Sequence, residues 1–144
     1  MAVLKILQKC ITVLDLSSAF LQVPLEQSSR QWTEFQFESN MYQFKTVPYG
    51  FKNSLAASIR VLEKVLRNCD LNNNLFMYVY DLLIHSSAFT EHLHYIDLVL
   101  DKFIRAGFTV NAANCQFCKP EVKFIGHVIL HEGVKADRKK LKQF

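Results

Sequence analysis

Residues 75–86 read Leu-Phe-Met-Tyr-Val-Tyr-Asp-Leu-Leu-Ile-His-Ser, and this stretch decides the fold. Two apolar runs, Leu75 to Tyr80 and Leu82 to His85, flank a single acid. Apolar runs of this length around a short polar break are typical of paired antiparallel strands. The stretch therefore predicts a β-hairpin that turns near Asp81.

Hydrophobic spacing elsewhere completes a βαββαβ pattern. A short apolar strand, Ile11 to Asp15, also ends in an acid. Apolar residues recur every three or four positions from Ser54 to Arg67 and again from Thr90 to Arg105, which predicts two amphipathic helices. Asn53 or Ser54 is expected to cap the first helix, and Gly107 to end the second. The expected buried faces are Leu55, Ile59, Leu62 and Leu66 in the first helix, and Leu93, Ile96, Leu100, Phe103 and Ile104 in the second.

Three further strand regions are expected from alternation and turn residues. Thr33 to Phe37 and Met41 to Phe44 form a hairpin, whereas Phe108 to Asn111 and Val122 to Ile125 return to the main sheet. Apart from the hairpin at 33–44, the predicted fold is α+β, a ferredoxin-like antiparallel sheet with both helices on one face. Its first and third strands are central neighbours, so the two strand acids are expected side by side.

Length and composition favour one domain spanning residues 1–144. The chain has 144 residues, half of them apolar, which suits one core and not two. It has no run of 18 apolar residues and no leader of the secretory type, so we expect no membrane insertion and an intracellular location, either cytoplasmic or nuclear.

The positive charge is concentrated at the end of the sequence. Five of the 17 Lys and Arg lie in the last ten residues with one acid, and positions 1–134 hold 12 basic and 12 acidic residues. Such a tail predicts weak, salt-sensitive binding to the phosphates of a nucleic acid. The solvated first turn of a helix would have the same composition. The candidate nucleic-acid-binding residues are Lys135, Arg138, Lys139, Lys140 and Lys142.

Six motifs occur in the order and at the intervals of one family. The sequence is similar to the reverse transcriptases of gypsy-type LTR retrotransposons from about Ile11 to about Gln143. The matching segments, with family patterns where these are distinctive, are Thr12 to Phe20; Val47 to Ser54 (MPFGLxNAP); Tyr78 to Ser86 (YLDDILVFS); Glu91 to Leu93 (EEHL); Ala106 to Asn111; and Asn114 to Phe117 with Phe124 to His127 (KCxF and FLGH).

The resemblance implies a polymerase palm with part of the fingers, the hairpin at 33–44. It further implies two-metal nucleotidyl transfer with Mg²⁺ held by Asp15 and Asp81, and a nucleotide site formed by Phe20, Tyr49 and Gly50. Two divalent ions about 3.5–4 Å apart hold the attacking and leaving oxygens in such reactions. RNA or DNA template-primer is the implied partner.

Several positions depart from the family pattern. Tyr80 stands where the first Asp of the YxDD pair is expected, and a neutral phenol is a poor ligand for a hard cation. Asn114 replaces the Lys of KCxF, and Leu55, Ser58 and Ile59 replace Pro, Phe and Gln. We therefore expect weak or absent Mg²⁺ binding.

The chain is also shorter than the family's polymerases. Because only fourteen residues precede Asp15 and the sequence ends at Phe144, we expect the N-terminal fingers, the thumb and the RNase H domain of the family to be absent. The sequence is compatible both with an enzyme and with a noncatalytic domain. The hypotheses are an impaired or inactive polymerase domain, a noncatalytic nucleic-acid-binding or protein-interaction module domesticated from a retrotransposon, and a product without a selected role.

The cysteine pattern gives little support for a structural zinc site. Cys115 and Cys118 form a CxxC, but a structural zinc site needs four ligands, and His127 and His131 lie in a segment typical of strand and turn. Buried thiols are the simpler interpretation.

Aromatic residues that are expected to be exposed could drive self-association, namely Trp32, Phe35, Tyr42 and Phe144.

Overall fold

The computed structural model describes residues 10–69, 71, 73–130 and 133–136. The strands are β1 (Cys10–Asp15), β2 (Phe35–Phe37), β3 (Asn40–Tyr42), β4 (Leu75–Tyr78), β5 (Asp81–Ser86), β6 (Gln116–Lys119), β7 (Glu121–Phe124), β8 (His127–Leu130) and β9 (Gly133–Ala136). The helices are the single turn α1 (Gln27–Arg30), α2 (Ser54–Leu66) and α3 (Phe89–Ala106), with short 3₁₀ turns at Ala19–Gln22 and Gln31–Thr33.

A four-stranded antiparallel sheet in the order β4-β5-β1-β6 forms the centre of the palm. β1 and β5 are its two middle strands, as expected, and they pair in register from Cys10 opposite Ser86 to Asp15 opposite Asp81. Because five of the six β1 residues are buried, this strand is covered on both faces. The predicted α+β palm is confirmed.

Both long helices pack on one face of this sheet. Their buried residues join Leu14, Leu82 and Ile84 in the main core, which also includes Val99 and Phe103. The helix α3 ends as expected at Gly107, whose φ of 77° is left-handed and whose backbone N–H donates to the carbonyls of Phe103 and Ile104. Asn53 is the cap residue of α2, but its side chain makes no capping hydrogen bond.

The expected buried faces of the two helices were partly wrong. Leu55, Leu93 and Ile104 are exposed, and Ile104 is 76% accessible. Small or polar residues are buried in their place, namely Ser54, Ser58, His92 and Tyr95. The sequence prediction placed only apolar residues on the buried face of each helix. Buried hydroxyl and imidazole groups with hydrogen-bond partners are also compatible with a core, so each observed face is rotated from the predicted one.

The last third of the predicted topology needs two corrections. Phe108 to Asn111 is not a strand, because it makes one bridge, Val110 with Leu16, and the fourth strand of the main sheet is β6. Val122 to Ile125 does not return to that sheet either. It contributes β7 to a separate sheet in the order β7-β8-β9.

This second sheet covers the face of the main sheet opposite the helices. Val122 of β7 and Ile129 of β8 pack against Ile11, Val13 and Leu83 in a second, smaller core. β1 and β5 therefore supply side chains to two cores, one on each face.

The predicted hairpin at 33–44 is confirmed but is shorter than expected. β2 and β3 pair from Phe35 opposite Tyr42 to Phe37 opposite Asn40. Thr33 lies in a 3₁₀ turn instead, where its hydroxyl donates to the Arg30 carbonyl at 2.7 Å. In the described ranges no helix is long and apolar enough to span a bilayer.

Candidate active site

The β4–β5 hairpin turns one position earlier than predicted. Tyr78 pairs with Asp81, so Val79 and Tyr80 form the turn and Asp81 is the first residue of β5. Val79 has a φ of 58°, an uncommon conformation for a β-branched residue. This tight turn places a carboxylate at the start of a central strand.

Asp15 and Asp81 are directly opposite each other at one end of the two middle strands. Burial raises the pKa of the Asp81 carboxyl above its ordinary value, and the negative charge of Asp15 raises it further. The two acids therefore repel each other, and a bound cation would relieve that repulsion.

The Asp15 carboxylate is also held from a loop. The Asn114 side-chain amide donates to its Oδ2 at 2.7 Å, and the backbone of that loop is tied to β1 through Asn111 N–H, which donates to the Asp15 carbonyl at 2.8 Å. The residue that replaces the expected lysine thus orients an acid and supplies no positive charge.

A cleft of about 270 Å³ opens beside the acid pair. Its lining residues are Val13, Asp15, Asp81, Asn114, Gln116, Lys123, Phe124 and Ile125. Sequence reasoning missed Gln116, Lys123, Phe124 and Ile125, because it assigned 122–125 to the main sheet and left 116–119 without a strand. They could have been found from the pairing of β6 with β1 and of β7 with β8.

Tyr80 is directed to the helix side of the palm and is not among the residues lining that cleft. Its ring packs against the main core and meets Phe20 edge-on, with ring centroids 5.0 Å apart. Burial raises the pKa of its phenol, an effect that the nearby Ser58 hydroxyl partly opposes. Within the described ranges, the buried hydroxyl has no well-formed hydrogen bond. The Ser58 hydroxyl donates to the Ser54 carbonyl at 2.8 Å.

The three residues assigned to nucleotide binding are near this ring. Phe20 and Tyr49 have ring centroids 4.9 Å apart, and Gly50 follows with a left-handed φ of 83°. Tyr49 and Gly50 are exposed, whereas Phe20 is half-buried. The structure thus brings Phe20, Tyr49 and Tyr80 into one aromatic cluster next to the acid pair.

Other expected site residues are elsewhere or outside the described part. Lys135 is exposed on β9, opposite Val128, which is itself opposite the cleft residue Lys123. Arg138, Lys139, Lys140 and Lys142 lie outside the described residues. No disulfide joins any of the four cysteines, all of which are among the described residues, and Cys115 and Cys118 pack against the main core. Among the residues that the structure describes, no three His, Cys, Asp or Glu are grouped to hold a metal ion.

A buried polar network that sequence reasoning missed anchors β1. The Thr12 hydroxyl is 2.7 Å from His92 Nε2 of α3 and accepts the Cys118 N–H of β6 at 3.0 Å. A second tie joins the segment after β1 to the loop after α3. Gln22 Oε1 accepts the Thr109 N–H at 2.6 Å, and its side-chain amide donates to the Thr109 carbonyl at 3.0 Å.

Comparison with known proteins identifies this arrangement. Residues 2–129 match the family model described as reverse transcriptase (RNA-dependent DNA polymerase). The chain belongs to this family. It is 33% identical over 138 residues to the retrovirus-related Pol polyprotein from transposon 297 of Drosophila melanogaster, and 32% identical over 134 residues to that from transposon gypsy of the same organism.

These relatives show that the domain is the reverse transcriptase region of an LTR retrotransposon. The first alignment covers 94% of this chain and the second 93%, but each covers only 13% of the polyprotein. The transposon Tf2-3 polyprotein of Schizosaccharomyces pombe is 29% identical over 122 residues, which is 85% of this chain and 9% of that protein.

Solved structures agree with the fold. The foamy viral protease-reverse transcriptase in complex with RNA/DNA hybrid is 26% identical, with a TM-score of 0.84 over 94% of this chain and 18% of that one. A second structure of the foamy viral protein, in complex with double-stranded DNA, gives a TM-score of 0.86 at 26% identity, over 95% of this chain and 24% of that one.

Proposed function

We propose that this reverse transcriptase domain keeps the palm fold of its family but has lost efficient nucleotidyl transfer. The observation that carries the proposal is the place of Tyr80. The position expected to supply a carboxylate beside Asp15 and Asp81 supplies a phenol, and that phenol is packed against Phe20.

The donor set fits one hard cation and not two. Asp15 and Asp81 are close enough for one charge to raise the pKa of the other, which is the arrangement that a divalent ion stabilises. However, one oxygen of Asp15 already accepts the Asn114 amide at 2.7 Å. Mg²⁺ would be held by these two carboxylates, weakly, and would supply charge neutralisation for phosphate oxygens.

Losing one metal ligand has a large kinetic cost. Transition-state charge stabilisation by metal ions contributes several kcal/mol, and each 1.36 kcal/mol is about tenfold in rate. Loss of the second ion is therefore expected to lower the rate by more than about a hundredfold.

The test is extension of an oligo(dT) primer on a poly(rA) template with Mg²⁺ or Mn²⁺. We expect the unmodified chain to give no more product than the Asp15→Asn variant, which serves as the matched background control. Extension by the unmodified chain that disappears in Asp15→Asn would overturn the proposal, because it would belong to this active site and not to a contaminant.

A second function, as a noncatalytic binding module, is favoured by the exposed aromatic side chains of the fingers segment. Trp32 is 76% accessible, and Phe35 and Tyr42 are exposed and stacked on each other across the β2–β3 hairpin with centroids 5.7 Å apart. Exposed aromatic surfaces of this kind bind partners or stack with bases. Phe144, the fourth expected member, lies outside the described residues.

Salt dependence separates the charged tail from the aromatic surface. RNA or DNA binding through the tail should weaken steeply with salt and be lost when its five basic residues are replaced by Gln, while self-association measured by sedimentation should persist. The matched control is replacement of Trp32 by Ser, which should reduce self-association and leave the salt slope unchanged. Binding that is insensitive to salt, or that survives the charge replacement, would place the nucleic-acid surface in the palm body.

A further inference from the structure

The buried side chains of α2 become smaller toward the end of the helix that is near the candidate active site. Ser54, Ser58, Leu62 and Leu66 are its buried residues, spaced one turn apart. Leucines fill the far end of this row, whereas the end near the site carries two hydroxymethyl groups. Ser58 is 0% accessible although its side chain is small, so another group must fill the volume next to it.

Tyr80 is that group. Its ring packs against the main core, its edge meets Phe20, and its hydroxyl is near Ser58. A buried hydroxyl without a well-formed hydrogen bond is unfavourable. The apolar contacts of the ring, and the small size of Ser58, therefore account for its position.

The inference that follows rests on the proposed function. We infer that Ser58 is a positioning residue that keeps the side chain at position 80 turned away from the acid cleft. The small residue at position 58 and the large residue at position 80 share one packed volume.

The inference makes residue 58 decisive for restoring a carboxylate. In Tyr80→Asp alone, the removed ring leaves a hole beside Ser58, into which the new side chain and the turn can relax. In Ser58→Phe alone, the added ring overlaps with Tyr80. Together, Phe at position 58 fills the hole and leaves the acid at position 80 toward Asp15 and Asp81.

Thermal unfolding of the 144-residue chain tests the coupling. Tyr80→Asp and Ser58→Phe should each lower Tm, by cavity formation and overpacking respectively. The double variant should lose at least about 3 °C less than the sum of the two single losses. The matched control combines Tyr80→Asp with Ala56→Phe, since Ala56 is an exposed residue of the same helix, and these two losses should add.

A metal readout separates positioning from packing alone. Relative to EDTA, Mg²⁺ should raise the Tm of the double variant more than that of Tyr80→Asp, and more than that of the unmodified chain. A double-variant loss within about 3 °C of the sum of the two single losses would overturn the inference, as would equal stabilisation by Mg²⁺ in the double variant and in Tyr80→Asp. Failure of the double variant to fold would also count against it, because Phe at position 58 is expected to rescue the fold.

The two proposals fail separately. Primer extension by the unmodified chain would refute the loss of catalysis and leave the Tm coupling between positions 58 and 80 as measured. Additive Tm losses would refute the role of Ser58 and leave the absence of extension as measured.

Discussion

Replacing Thr12 by Val removes the polar anchor of the strand that carries Asp15. Thr12 is 0% accessible, and its hydroxyl serves two other elements, His92 Nε2 at 2.7 Å and the Cys118 N–H at 3.0 Å. Because the oxygen accepts from Cys118, its hydrogen is available for an unprotonated His92 Nε2. Burial lowers the pKa of His92, which keeps that nitrogen free to accept.

The cost of the substitution follows from these two bonds. Valine has nearly the same shape, so the main loss is two hydrogen bonds, and two groups are left without their partner. Each unsatisfied buried group costs about 1–3 kcal/mol, and Cys118 is only half-buried. We expect about 2–5 kcal/mol of lost stability, a large part of the roughly 5–15 kcal/mol of a typical domain.

Urea unfolding followed by circular dichroism at neutral pH measures this loss. Thr12→Ser is the matched control, because it keeps the hydroxyl and removes one methyl group, at a cost of about 1 kcal/mol. A Thr12→Val variant that is no less stable than Thr12→Ser would show that the network contributes nothing and would refute the reasoning.

Three further outcomes are expected. Burial lowers the pKa of both His85 and His92 in the folded state. Their contribution to the free energy of unfolding is therefore complete above the ordinary pKa of about 6.5 and is lost as pH falls from there through the lowered folded-state pKa. Tm should drop on acidification, and less so in His92→Gln. Burial and Asp15 raise the pKa of Asp81, so folding favours its protonated form, and Asp81→Asn should raise Tm at neutral pH with a gain that vanishes toward acidic pH. Gly107→Ala should cost about 1 kcal/mol in urea unfolding, because φ is 77° there although space is available; no loss would contradict the strain argument.

The elements that alternate or repeat clearly could be predicted from sequence. β1, α2, α3 and the β4–β5 hairpin have long, regular apolar patterns, and their order alone places Asp15 beside Asp81. Regular periodicity identifies an element because the side-chain period of a strand or helix is fixed by backbone geometry.

The choice of pairing partners in the last third could not be predicted. Phe108 to Asn111 and Gln116 to Lys119 are both short and partly apolar, and periodicity does not decide which of them joins β1. The placement of β7 on the opposite face depends on Val122 and Ile129 filling the second core, which is a tertiary contact. For the same reason Lys123 could not be assigned to the acid cleft.

The position of a site residue could be predicted where strand pairing determines it. It could not be predicted where the packing of side chains from other elements determines it. Asp15 and Asp81 end or begin paired strands, so topology places them. The direction of Tyr80 depends on the volume beside Ser58, a residue one turn into another element. No local pattern around position 80 contains that information.

The double coverage of β1 has a consequence for how the molecule opens. Leu14 contacts the core under the helices, while Ile11 and Val13 contact the core under the β7–β9 sheet. If either the helices or the β7–β9 sheet detached alone, β1 would still be paired on both edges, with β5 and β6. Its amide protons should therefore exchange with deuterium only through whole-domain unfolding, and they should be the last to exchange in the chain. The backbone that carries Asp15 is thus expected to report the global free energy of unfolding.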